Sequence, residues 1–475
     1  MNKPNILLIY VDQMREPMWF PERTVLDRLL PSLARLRQGA VSFSHCYCDS
    51  AACSPSRASL LTGLYAHQHG IMTNVDGTAT PSLATGFPTW GDSLREFGYQ
   101  TNWFGKLHLT ADGDDPNLYG FDAPPNALMF DPSGKGLGVY HDPVIVKNFL
   151  GWLEDKAHVG PWAATVSLFN PHDICLHPDF HDECFNADGI EFPAFFDSMP
   201  PNYESPDELA QNRKPRLHLA RSRQFNAQLG IGPDNIGYRE KWAGHANAYL
   251  GFHMHLDRQV GRIYDVLDKR PTLRDNTIIV FVSDHGELNG SHGLRQKGDC
   301  AYDEGIRVPL IVNDPTGRWT AHTQTQRNQL TSMVDVHALL LTLTCGGDEW
   351  RTQPRFAHVA DRLDMASILK DPNAPGRRYI THTCDQLMSP WLDDSGAAMP
   401  THVLALRTQS AKLAVCSHWA PGTIEMADDD QDWELYDYAD HGGRCEIVND
   451  AGAKPQLQTE LFELLVSDAL PNELR

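Results

Sequence analysis

The stretch Asn5-Ile6-Leu7-Leu8-Ile9-Tyr10-Val11-Asp12-Gln13 is an unbroken apolar run that stops on an acid and an amide. The same design recurs three times. Gln100–Phe104 ends in Gly105-Lys106-Leu107-His108. Ala163–Phe169 ends in Asn170-Pro171-His172-Asp173, and Thr277–Val282 ends in Ser283-Asp284-His285-Gly286-Glu287. Runs of Ile, Leu and Val without polar alternation read as strands buried on both faces. The fold expected is α/β, with a large, mostly parallel central sheet covered by helices. In such sheets the site lies beyond the carboxyl ends of the strands. The four polar tails then gather along one edge of one sheet.

Helical periodicity is predicted over Pro31–Gln38, Thr89–Phe97, His245–Asp268 and Ser332–Leu343. From about Pro178 to Gly237 the chain reads as irregular and rich in Pro, Asn and charge, including Arg213-Lys214-Pro215-Arg216 and Arg221-Ser222-Arg223. A lid carrying positive charge toward an anion is one reading; a solvated surface insertion is the preferred one. Asp371-Pro372-Asn373-Ala374-Pro375-Gly376 is linker-like. Strand-like Val403–Arg407, Lys412–Cys416 and Trp433–Asp437 follow, then an amphipathic helix around Leu457–Ala469. The expected organisation is a catalytic unit over 1–370 and a small C-terminal unit over 371–475, an antiparallel sheet with a helix.

At 475 residues, 41% hydrophobic and 21% charged, the composition is that of a folded globular chain. Its net charge of −21 argues against nucleic acid as partner, because phosphate neutralisation needs basic surface. An anionic substrate therefore needs a locally positive pocket. No apolar stretch has the length of a membrane span and no signal-peptide pattern is visible, so a cytoplasmic protein without membrane contact is expected. The ten cysteines are scattered through a long chain and read as mostly reduced. A homo-oligomer is compatible with the sequence, which does not fix the assembly.

One further stretch carries chemistry: Cys53-Ser54-Pro55-Ser56-Arg57-Ala58-Ser59-Leu60-Leu61-Thr62-Gly63. Pro55 suits a first helical turn, Ser54 an N-cap, and Ala58, Leu60 and Leu61 a helix interior. Cys53 is thus expected at a helix N-terminus, a place that favours an anion. Cys-x-Pro-Ser-Arg followed by this stretch resembles the modification signature of the type I sulfatases of the alkaline phosphatase superfamily. The resemblance extends from Asp12 to Lys297, and the C-terminal stretch is similar to the small sulfatase subdomain.

The resemblance implies that Cys53 is oxidised to formylglycine by a formylglycine-generating enzyme. It implies one divalent ion, calcium first and manganese next, held by Asp12, Gln13, Asp284, His285 and the residue-53 oxygen. Two aspartates converging from separate strands would repel each other without a cation between them. Oxygen ligands suit calcium or magnesium, whereas an imidazole pulls toward manganese or zinc. Arg57 would hold the hydroxyl of formylglycine. Lys106, His172 and Lys297 would bind sulfate oxygens, His108 would take a proton from the hydrated aldehyde, and His172 or Lys297 would protonate the leaving alcohol. The reaction implied is hydrolysis of a small organic sulfate ester.

The family's commoner pattern has Asp where this chain has Gln13 and Asn where it has His285. The Asp-Gln and Asp-His versions occur in phosphonate monoester hydrolases, which also have a substrate-contacting Asn in a segment like that around Asn74. Phosphonate monoester or phosphodiester hydrolysis is therefore the alternative. Trp19, Phe20, Trp103 and Tyr119 could line an apolar or cation-binding pocket, but tryptophan at such places is more often core, and core is the preferred reading. His218 has little support as a pocket residue.

Overall fold

The computed structural model describes residues 3–469, apart from 19, 76–80, 112, 124–137, 157–159, 179–192, 232–236, 321–324, 386–390, 394, 422 and 424. Its main sheet is built from β1 (Asn5–Asp12), β2 (Val41–Tyr47), β3 (Gln100–Gly105), β4 (Trp162–Pro171), β5 (Thr277–Ser283), β6 (Arg307–Asn313), β7 (Thr325–Arg327) and β8 (Thr331–Ser332). The order is β3-β4-β1-β5-β6-β2-β7, with β8 also on β2. The four runs read from the sequence are neighbours, all parallel. Antiparallel β6 joins β5 to β2.

Every residue of β1 is buried. Ile6, Leu8 and Tyr10 pack on one face with Leu60, Leu61, Leu94 and Leu339; Leu7, Ile9 and Val11 pack on the other with Leu36, Phe149, Val260 and Ile263. Helices Cys53–Thr62, Trp90–Glu96 and Val336–Cys345 thus cover one face. Helices Pro31–Arg37, Gly138–Lys156 and Tyr238–Asp268 cover the other. Each fully buried aliphatic side chain is worth about 1.5–3 kcal/mol, and this two-sided burial is why the strands lack polar alternation. Where β1 meets β4 the register shifts between Val11 and Asp12. Such an irregularity re-aims the next side chain, here Asp12.

The second sheet, order β12-β11-β10-β9, is antiparallel: β9 (Ile380–Asp385), β10 (His402–Arg407), β11 (Ala411–Ser417) and β12 (Asp432–Asp437). One face takes Leu461 and Leu465 from the C-terminal helix. The other packs Val403, Ala405 and Cys384 against Ala301.

Two expectations need correction. The segment before Gly237 is not wholly irregular: it forms helices Pro206–Gln211 and Arg216–Gln228. Nor are all its cations solvated: Arg213, Arg216 and Arg223 are exposed, but two are not. Lys214 is buried, donating to the Tyr436 hydroxyl at 2.8 Å. Arg221 donates to the Gly298 carbonyl at 2.9 Å and pairs with Asp299 at 2.6 Å. Arg216 pairs with Asp430 and Asp432. These charges clamp the insertion onto the C-terminal sheet and onto the loop that carries Lys297. Trp103 and Tyr119 are core residues; Trp19 lies outside the described residues.

Candidate active site

The helix carrying the signature runs Cys53–Thr62, with Ala52 as N-cap and Gly63 closing it in left-handed geometry at φ 70. Ser54 is therefore inside the first turn and is not the cap. Its N–H is instead accepted by the Asn74 side-chain oxygen at 3.1 Å, and its hydroxyl accepts the Val75 N–H at 3.2 Å. Asn74 thus satisfies one orphan donor of the helix start from outside, beside the cysteine.

Cys53 and Arg57 are four residues apart, so they share one face of the helix. Arg57 is fully buried, its ring of donors spent on the strand ends. Nε donates to Asp284 Oδ2 at 3.0 Å, one NH2 group to Asp12 Oδ2 at 3.0 Å, and the other to Ser167 Oγ and the Lys106 carbonyl at 3.1 and 3.0 Å. One guanidinium therefore ties the ends of β1, β3, β4 and β5 together.

Above it lies a compact donor cluster. Ligand atoms of Asp12, Cys53, Asp284 and His285 all fall within 4.8 Å of one another, and all four residues are buried. Cys53 Sγ is 3.2 Å from His285 Nε2 and 3.8 Å from Asp12 Oδ1. His285 Nδ1 lies 3.0 Å from the Gly286 carbonyl. A carbonyl only accepts, so Nδ1 carries the proton and the Nε2 lone pair faces the cluster. The two carboxylates are pushed apart in acidity. Against burial, the charges of Lys106 and Arg57 hold Asp12 well below the usual range, whereas burial and the charge of Asp12 push Asp284 up to about 6. A cation among these atoms would relieve that repulsion, and two carboxylates with an imidazole are a donor set that fits a divalent metal.

Three cationic or imidazole groups rim the cluster. Lys106 Nζ is buried, 2.6 Å from Asp12 Oδ2 and 3.9 Å from Cys53 Sγ. Lys297 Nζ donates to Gln13 Oε1 at 2.5 Å and lies 3.4 Å from Cys175 Sγ. His172 follows β4, and its Nδ1 is buried without a hydrogen-bond partner among the described residues. Burial and the charges of Lys297 and Lys106 hold its imidazole neutral, well below its ordinary range. Burial and Asp12 raise the Cys53 thiol, but the charges of Lys106 and Lys297 outweigh them and hold it well below its ordinary value. The hollow is therefore locally electropositive in an acidic chain. His108 stands two residues past Lys106 in left-handed backbone, φ 61. Asp114 holds its N–H and those of Leu109 and Thr110.

Three residues near this site had no role in the sequence reading. Glu287 accepts from Gln13 Nε2 at 2.5 Å, Cys175 donates to Gln13 Oε1 at 3.1 Å, and Tyr249 donates to the Gln13 carbonyl at 2.7 Å. Glu287 was visible as the end of the Asp284-His285-Gly286 string; a lone Cys175 or Tyr249 carries no local signal. His218 serves structure: it is buried against Tyr302 and the Asp299 carbonyl.

Gly105 shows how tightly the edge is built. It has φ 97, and a Cβ there would collide with the carbonyl oxygen of Ser167. Gly105→Ala is expected to cost about 1–3 kcal/mol from the strained backbone alone and to displace the adjacent Lys106. Thermal unfolding and activity should fall together; a variant with both unchanged would show that the β3–β4 junction yields.

A mostly parallel sheet with a carboxylate–imidazole–cysteine cluster at its strand ends is the arrangement expected from the resemblance to the alkaline phosphatase superfamily. Within it, the chain belongs to the sulfatase family: the Sulfatase family model matches residues 4–347. The uncharacterised sulfatase YidJ of Escherichia coli is 29% identical over 342 residues, covering 67% of this chain and 64% of that protein, so the match spans just under two thirds of that relative. An arylsulfatase of Clostridium perfringens is 23% identical over 428 residues, 80% of this chain and 81% of that one. Among solved structures, a phosphonate monoester hydrolase from Silicibacter pomeroyi superposes with TM-score 0.71 at 22% identity, covering 98% and 94% of the two chains.

Proposed function

We propose that the protein is a sulfuric ester hydrolase whose nucleophile derives from Cys53. The observation that carries this reading is the place of Cys53: first residue of a buried helix, its sulfur within 3.9 Å of Asp12, His285 and Lys106. An arylsulfatase among the relatives supports the substrate class. Oxidised to formylglycine by a separate generating enzyme, residue 53 would supply as its hydrate two geminal hydroxyls, one to attack sulfur and one to release sulfate afterwards. A divalent ion held by Asp12, Asp284, His285 and Gln13, whose Oε1 would give up the weak bond from Cys175 to reach it, would supply Lewis acidity. Calcium is the family expectation; the imidazole favours manganese.

The chain's own groups have separable tasks. Arg57 keeps both carboxylates ionised and in place. Lys106 and Lys297 draw the sulfuryl oxygens in and stabilise charge growing on them. Of the two candidate donors to the leaving oxygen, Lys297 is the cationic one; His172, held neutral, would give only a hydrogen bond there, and His108 takes the proton from the second hydroxyl. Asn74 fixes the helix end under the nucleophile and reaches the substrate.

His285 and Gln13 favour a second reading, phosphonate monoester or diester hydrolysis in the same hollow. Aryl sulfate and aryl phosphonate turnover by one preparation discriminates the two; a strong phosphonate preference would sink the sulfatase reading. Mass spectrometry of the peptide spanning position 53 tests the nucleophile. Treatment with a chelator is expected to abolish turnover of 4-nitrophenyl sulfate and added Mn²⁺ or Ca²⁺ to restore it. Full activity after verified metal removal would exclude the proposed ion. A cytoplasmic location rests on the sequence reading alone.

A further inference from the structure

Glu287 is buried and accepts three hydrogen bonds. Oε1 takes the backbone N–H of Asn289 at 3.0 Å and of Gln296 at 2.7 Å; Oε2 takes Gln13 Nε2 at 2.5 Å. His245 Nε2 lies 3.7 Å away. The Gln13 amide is therefore unambiguous: its NH2 faces a carboxylate, and its oxygen faces the Lys297 ammonium. The Gln296 bond also anchors the backbone immediately before Lys297.

We propose that Glu287 is a positioning residue for the site, orienting the Gln13 amide so that its oxygen faces the metal cluster and holding the Lys297 loop beside it. This rests on the metal-site reading above. Glutamine at 287 has one acceptor oxygen where glutamate has two. If that oxygen keeps the two backbone N–H groups, its own NH2 meets the Gln13 NH2. The Gln13 amide then turns over and presents N–H groups to Lys297 and to the ion. Side chains that orient metal ligands are worth about 10–100-fold in affinity.

The test is Mn²⁺ titration of chelator-stripped full-length protein, with free Mn²⁺ read by electron paramagnetic resonance. Wild type is expected to bind Mn²⁺, and Glu287→Gln to bind it about 10–100-fold more weakly with unchanged circular dichroism. In a Gln13→Ala background the same change is expected to add little, because Glu287 acts through Gln13. Wild-type affinity in Glu287→Gln, or an equal loss in both backgrounds, overturns the proposal while leaving the metal site standing. Absence of Mn²⁺ binding by wild type sinks both. Should Glu287→Gln fail to fold, Glu287→Asp keeps the charge but not the reach and is read against the same outcomes.

Discussion

Cys53→Ser is expected to lower kcat by a factor on the order of 10⁴ or more, the scale seen when a nucleophile is removed from a concerted site. The fold should survive. Serine is smaller than cysteine, and its hydroxyl can bond the His285 Nε2 that now sits 3.2 Å from sulfur. Chemistry fails for a different reason. A serine hydroxyl held by Lys106 and the helix start could attack a sulfate ester once. The resulting serine sulfate has no second hydroxyl on its carbon, so the elimination that frees the nucleophile cannot occur. Pre-steady-state release of 4-nitrophenol should therefore stop at or below one equivalent per chain. Sustained multiple turnover by the variant would refute the elimination step.

The part of the fold that builds the site was legible because burial on both sides leaves a simple mark. β1 and β5 are almost wholly apolar, β4 is interrupted only by Thr165 and Ser167 before its tail, and β3 is short and mixed, but Asp12, Lys106 and Asp284 at their ends do meet at one edge. The other strands carry weaker marks. β2 interleaves Ser42, Ser44 and His45 among its apolar residues, which blurs the period. β6 contains Pro309, which argues against a strand interior. The structure accommodates it with a register shift between Phe43 and Cys46 on the neighbouring β2.

At the site, residues whose task follows from residue type and strand position could be read locally: Asp12, Asp284, His285, Cys53 and Lys106 converge as the strand-end argument requires. Residues whose task depends on a partner far along the chain could not. Glu287 matters through Gln13, 274 positions away. Ser54 looked like a cap because its type suits one, but the chain enters the helix a turn position earlier and Asn74 takes over. The basic insertion is hard to read for the same reason: Lys214 is held by the Tyr436 hydroxyl and Arg221 by Asp299, both in segments that sequence distance hides.

Removing Arg57 should expose the electrostatic debt of the cluster. Asp12 and Asp284 are both fully buried, and Arg57 contacts both at 2.9–3.0 Å. Breaking a buried ion pair by deleting one partner costs about 3–5 kcal/mol, because the remaining charge is left uncompensated. Lys106 still serves Asp12, and two backbone N–H groups still serve Asp284 Oδ1, so Arg57→Ala should fold but unfold at lower temperature. Arg57→Lys keeps a charge but loses the fork that reaches both carboxylates, Ser167 and the Lys106 carbonyl; it should fall between the two. A divalent ion among Asp12, Asp284 and His285 supplies positive charge at the same place. The stability lost by Arg57→Ala should accordingly be larger in chelator than in excess Ca²⁺ or Mn²⁺, with activity lost in both. Thermal unfolding of the three proteins under the two conditions measures this. An Arg57→Ala protein as stable as wild type in chelator would mean that the two aspartates do not carry charge together, and the case for a cation between them would fall with it.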